Sequence, residues 1–196
     1  VALAQELQGR EVRSGTGMPL LAHLFVVTGL VIEDGGDEDE AIAALLHDSV
    51  EDGGGRRVLA RIQSGFGARV ASMVQELSDT IDGDPEKSWV ELKARYLKQL
   101  EACEDPGTLR VALADKVHNA RSIVRDYRYE GHATWERFTE KTAQQQLWYS
   151  RELAELFSRK RPGPLADDLR DAVDELTALI AADPQETDEP YVPPRR

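Results

Sequence analysis

Apolar residues recur at intervals of three and four along almost the whole chain, and no segment shows a convincing apolar–polar alternation. That periodicity constrains the fold more than any other feature, because it buries one stripe of a helix and leaves a strand's two faces mixed. Helices are predicted over 19–33, 37–51, 56–64, 68–80, 86–102, 106–127, 133–159 and 165–181. Pro19, Pro106 and Pro164 stand near the opening of three of them, where a missing N–H costs nothing. Gly35-Gly36, Gly53 to Gly55, Gly65-Phe66-Gly67 and Gly83 punctuate the others. The 196 residues suffice for one all-α domain with a sizeable core, expected over 1–182. From Asp183 to Arg196 the chain carries four prolines and several acids and is expected to be a disordered tail.

Within this helical pattern one run is out of place. His47-Asp48-Ser49-Val50-Glu51-Asp52 closes the apolar segment Ala41-Ile42-Ala43-Ala44-Leu45-Leu46. Burying an unpaired charge costs several kcal/mol, and a metal ion offsets that cost. On a continuous helix Glu51 follows His47 by four residues and Asp52 follows Asp48 by four, so the quartet is expected to stack as two rows over one turn. Acids at a helix C-terminus are also disfavoured by the helix dipole, which favours a functional reading of Glu51 and Asp52.

Two further residues are candidates for the same centre. His23 lies in the apolar segment from Pro19 to Val27, and Asp115 lies in Leu109 to Arg121 beside Val111, Leu113 and Val117. Asn119 is one turn after Asp115 on the same face, and Ser122 continues the row. Two imidazoles and two carboxylates form a nitrogen and oxygen donor set without thiolate, suited to Mn, Fe, Zn or Ni. Such an ion acidifies water and neutralises phosphoryl oxygens. Glu51 and Asp52 would then be available to exchange a proton with the attacking water or the leaving oxygen.

Bulk properties narrow the partners. The net charge of −12 argues against a general nucleic-acid binder, though not against a small anionic substrate held by a cation and local Arg and Lys side chains. The lone Cys103 permits no internal disulfide and no thiolate metal cluster, which suits a reducing compartment. No stretch is apolar and long enough to span a bilayer, so no membrane partner is expected and a cytoplasmic location is. Composition leaves the oligomeric state open.

His23, then Ala43 to Asp52, then Leu113-Ala114-Asp115-Lys116-Val117-His118-Asn119 resemble the signature of the HD-domain metal-dependent phosphohydrolases. The branch is that of the RelA/SpoT hydrolase domain and the small SpoT-like alarmone hydrolases. Phe66-Gly67 with Val70 and Val74 is similar to the helix that follows in that branch, and the likeness runs from about Arg13 to Ser122.

The resemblance implies a helical HD-domain bundle with manganese on His23, His47, Asp48 and Asp115. It implies Glu51 and Asp52 as catalytic groups and hydrolysis of the 3′-pyrophosphate of guanosine tetra- or pentaphosphate. Arg13 and Asn119 become nucleotide contacts, joined by Lys116 and Arg121 as the basic residues nearest the centre. Lys93, Arg95 and Lys98 would add charge if their helix folds over the pocket. Val12 and Leu20 stand where the family has a second basic residue and a tyrosine, so a weaker preference for guanine is expected. Alternatives are an HD-domain phosphatase for other small phosphate esters and a non-catalytic nucleotide-binding module. Alarmone synthesis is not expected, since no synthetase segment follows.

Overall fold

The computed structural model describes residues 1–13, 16–50, 54–78, 87–138 and 142–183. Nine α-helices and one 3₁₀ helix lie wholly within these residues: α1 (Ala2–Gln8), α2 (Leu20–Glu33), α3 (Glu38–Leu46), α4 (Gly55–Phe66), α5 (Ala68–Leu77), α6 (Trp89–Ala102), α7 (Pro106–Glu130), the 3₁₀ helix Gly131–Arg137, α8 (Ala143–Lys160) and α9 (Pro164–Ala182). Among the described residues the only β-pairing is an isolated bridge between Val12 and Pro19. None of the described helices is long and apolar enough to cross a membrane.

The long helix α7 is the axis of the bundle. Val111, Ala112, Leu113, Ala114 and Val117 are completely buried on it, and α9, α2 and α3 pack around it. Its start is fixed by Asp105, whose carboxylate accepts from the Thr108 backbone N–H, with Pro106 in the first turn. Gly107 leaves room for the Glu40 side chain there, since a Cβ at that position would stand 2.8 Å from Glu40 Oε1 and the carboxylate would have to shift. The buried Glu40 accepts hydrogen bonds from Arg110 and Arg69, and Asp34 accepts from Arg110 and Arg161. These ion pairs hold the α2–α3 turn against the first turns of α7, and so set how α2 and α7 face one another.

Several element boundaries differ from the sequence expectation, each for a local reason. The helix expected over 37–51 stops at Leu46, with His47 as its C-cap and a turn at His47-Asp48. The two stacked rows expected there involve Glu51 and Asp52, which lie outside the described residues. The helix expected over 133–159 divides into the 3₁₀ helix and α8, with residues 139–141 outside the described set. α7 runs on to Glu130 and ends where Gly131 takes φ +56°, a backbone conformation suited to glycine. α6 begins at Trp89, where Ser88 and Glu91 form a reciprocal capping box. The short α1 lacks a strong periodic signal and was not expected. Residues 184–196, expected as a disordered tail, lie outside the described residues, as do Glu51 and Asp52.

Candidate metal centre

Three elements converge on one point. α2 contributes His23, the end of α3 contributes His47 and the adjoining Asp48, and α7 contributes Asp115. His23, His47 and Asp115 are buried, while the Asp48 side chain keeps 31% of its surface exposed. His23 Nε2 lies 3.7 Å from Asp48 Oδ2, 3.3 Å from Asp115 Oδ1 and 3.4 Å from His47 Nε2. His47 Nε2 lies 3.1 Å from Asp48 Oδ1 and 3.6 Å from Asp115 Oδ1.

These separations match the edges of a coordination polyhedron. Bonds of about 2.1 Å place neighbouring donors about 3.0 Å apart at right angles and about 3.4 Å apart at the tetrahedral angle. His23, His47 and Asp48 each offer a donor atom within 4.8 Å of the others, and Asp115 joins them through the Oδ1 distances just given. The donor set therefore fits a divalent cation.

The surrounding hydrogen bonds orient these side chains. The Nδ1–H of His47 donates to the Ala44 carbonyl at 2.8 Å, leaving the Nε2 lone pair aimed at the centre. His23 Nδ1 meets His118 Nδ1 at 2.7 Å. Desolvation, with the nearby His23 and Arg13, lowers the His118 pKa to about 4. A neutral His118 can accept at Nδ1 in its Nε2–H tautomer; His23 then donates from Nδ1 and turns its Nε2 lone pair to the centre. Asp115 accepts from Asn119 Nδ2 on Oδ1 and from Lys116 Nζ on Oδ2, both at 2.7 Å.

The metal-free charge balance favours a cation here. Burial alone would lower the His47 pKa, but Asp48 and Asp115 overcome it and carry it up to about 9. Burial likewise works to raise the Asp115 pKa, yet Lys116 and the two histidines hold it well below the usual carboxylate range.

A cavity of about 220 Å³ opens at the centre and is flanked by Arg13, Lys93, Lys116 and Asn119. These four side chains also line a second cavity of about 560 Å³, large enough for a nucleoside. Arg13 donates to Asn119 Oδ1 at 2.7 Å and to Ser122 Oγ at 3.3 Å. Lys116 lies 5.0 Å above the Tyr96 ring, and Lys93 lies 5.5 Å from the Tyr149 ring centroid. Val12 and Leu20, the two departures from the family pattern, both line the larger cavity.

The structure thus brings Arg13, Lys116 and Asn119 to the cluster, with Lys93 beside them. Arg121 lies elsewhere, pairing with Asp168 at 2.8 Å on the outer surface, and lines neither cavity. Two positions after Asn119 and one before Ser122 on α7, it points away from both. Arg95 and Lys98 line neither cavity. Sequence reasoning missed His118, whose signal was its place three residues after Asp115 on one helix. It also missed Asp126 and Arg137, which line the far end of the larger cavity and join across sequence.

Comparison with known proteins agrees with this arrangement. The HD domain family matches residues 1–144. A probable guanosine-3′,5′-bis(diphosphate) 3′-pyrophosphohydrolase of Synechocystis sp. is 33% identical over 113 residues, covering 57% of this chain and 14% of that protein. The corresponding pyrophosphohydrolase of Aquifex aeolicus is 34% identical over 121 residues, covering 61% of this chain and 16% of that protein. The chain therefore spans about one-seventh of the length of these curated relatives. A metazoan ortholog of SpoT, described as hydrolysing ppGpp, shares the fold with a TM-score of 0.69 at 19% identity, over 89% of this chain and 91% of that one.

Proposed function

This chain belongs to the HD domain family, and from that premise we propose that it is a manganese-dependent hydrolase of guanosine 3′-pyrophosphates. The observation that supports the reading is that the largely buried His23, His47, Asp48 and Asp115 cluster lines a cavity whose basic walls, Arg13, Lys93 and Lys116, also line a second, nucleoside-sized cavity. The pyrophosphohydrolase names of two relatives supply the substrate class.

When bound by these four residues, a divalent cation supplies positive charge against phosphoryl oxygens and acidifies water. The protein's own groups do the rest. Arg13 and Lys116 place positive charge along the substrate's phosphates, while Asn119 ties Asp115 to Arg13 and fixes both. In the reaction, water oxygen bonds to the phosphorus nearest the ribose and the bond from that phosphorus to the 3′-oxygen breaks. The 3′-oxygen takes a proton, and pyrophosphate leaves intact. Glu51 and Asp52, which follow His47 and Asp48 by four positions in sequence, are assigned to that proton traffic on the motif.

The test is an activity matrix of metal against nucleotide with both products identified. Release of intact pyrophosphate from guanosine tetraphosphate with manganese is expected. Orthophosphate alone, released as readily from simple mononucleotides, would overturn the reading in favour of a general phosphatase. Absence of turnover with Mn, Co, Ni, Zn and Mg would instead leave a nucleotide-binding module.

A further inference from the structure

The inner face of α7 carries a polar stripe through an otherwise apolar core. Asp115, Asn119, Ser122 and Asp126 are spaced four, three and four residues apart, within a sector of about 60° on a helix of 3.6 residues per turn. Asp115, Ser122 and Asp126 are buried. Asp115 belongs to the metal cluster, Asn119 lines both cavities, and Ser122 and Asp126 line the larger one. The eleven helical steps from Asp115 to Asp126 cover about 16 Å along the axis at 1.5 Å per step, on the scale of an extended nucleotide.

Each part of the stripe has a basic partner. Lys116 bonds Asp115, and Arg13 bonds Asn119 and Ser122. Arg137, from the 3₁₀ helix, donates to Asp126 Oδ2 at 2.7 Å, and Arg125 donates to Oδ1 at 2.9 Å. The Asp126 and Arg137 side chains are only 11% and 10% exposed. Burying an ion pair on a cavity wall stabilises a fold little, and an apolar pair of similar size would serve packing as well. Phe138 and the buried Tyr149 line the same cavity and offer rings on which a base can stack.

We propose that Asp126, braced by Arg137, reads the nucleobase at the far end of this cavity and selects guanine. This rests on the nucleotide reading of the site given above. A carboxylate only accepts hydrogen bonds, and its two oxygens offer about four lone-pair positions, of which Arg125 and Arg137 take two. Guanine presents two adjacent donors, N1–H and the 2-amino group, beside the O6 acceptor. The donors suit Asp126 and O6 suits Arg137. Adenine presents a lone pair at N1 and an amino group at C6, so acceptor meets acceptor and donor meets donor. On this proposal guanine selection is retained through Asp126, whereas Val12 and Leu20 alone would lead to a weaker preference.

Binding of GDP, IDP and ADP to the full chain by titration calorimetry tests this without reliance on catalysis. GDP is expected to bind about 100-fold more tightly than ADP, the scale of one good bidentate base contact, with IDP between them because it lacks the 2-amino group. Asp126→Asn should weaken GDP by 10- to 100-fold and leave ADP within about threefold. If that variant fails to melt cooperatively, the double substitution Asp126→Asn with Arg137→Gln removes both buried charges and carries the same expectation.

Equal affinity of the wild type for GDP and ADP would overturn the proposal. So would an equal loss for both nucleotides in whichever variant folds. Base selection with no hydrolysis of any 3′-pyrophosphate would sustain the selector while removing the catalytic reading. Hydrolysis without base selection would do the opposite.

Discussion

Raising the pH should weaken the metal-stripped protein and strengthen its grip on metal. His47 titrates near 6.5 when unfolded and at about 9 in the folded chain, where Asp48 and Asp115 outweigh its burial. The folded state therefore binds this proton more tightly by about 3 kcal/mol. Because the folded pKa is raised, that stability is fully present below about pH 6.5 and is lost as pH rises through 9. For a chain of this length about 3 kcal/mol corresponds to roughly 6–12 °C in melting temperature. Melting in excess chelator from pH 6 to pH 9.5, followed by far-ultraviolet circular dichroism, should show that fall. His47→Gln should flatten it. With manganese present the sign reverses, since the cation competes with the proton and its apparent affinity grows about tenfold per pH unit below 9. A chelated wild type with a level melting temperature across this range, or a His47→Gln variant that falls as steeply, would refute the reasoning.

Asp48→Ala should abolish both metal binding and activity with little change in helix content, because Asp48 sits in a part-exposed turn outside α3; elemental analysis and circular dichroism check this. Glu51→Gln with Asp52→Asn should retain metal but lower kcat by about two to four orders of magnitude, the usual scale for proton-transfer groups, and an unchanged kcat in steady-state assays would return the pair to a structural role. Leu113→Ala, at a fully buried position on α7, should cost about 2–5 kcal/mol in urea unfolding.

The helical class was legible because the burial stripe of each helix is written into every turn. α2, α5, α7 and α9 lie close to where periodicity puts them. Boundaries were less legible where tertiary contacts overrule the local pattern. The stretch through His47 has helical spacing in sequence, yet the chain turns there and His47 reaches the centre as a C-cap, its Nδ1 held by Ala44. Propensity favours continuing the helix, whereas the cluster requires His47 and the adjacent Asp48 both to face His23. His47 itself keeps helical dihedrals, φ −59° and ψ −36°, so the departure from the helix at this point is small.

The clustered side chains of the candidate centre were legible for a different reason: ionisable groups stood out against apolar surroundings, a contrast that needs no tertiary knowledge. His118, Asp126 and Arg137 lacked that contrast. Asp126 lies among Arg125, Tyr127, Arg128 and Tyr129, a stretch that reads as a solvated helix end. Its burial depends on Arg137 folding back from the 3₁₀ helix, and that depends on Gly131 ending α7 where it does. A carboxylate whose partner lies eleven residues away past a helix stop gives no periodic signal. The metal end of the stripe on α7 is therefore readable from local contrast, while the far end exists only through the turn that follows the helix. If that turn governs Arg137 as argued, Gly131→Val should disturb Asp126 without touching the metal ligands. GDP affinity should then fall while manganese affinity, read by calorimetry, stays within a few-fold. A parallel loss of both would mean that the whole helix, rather than the turn, had moved.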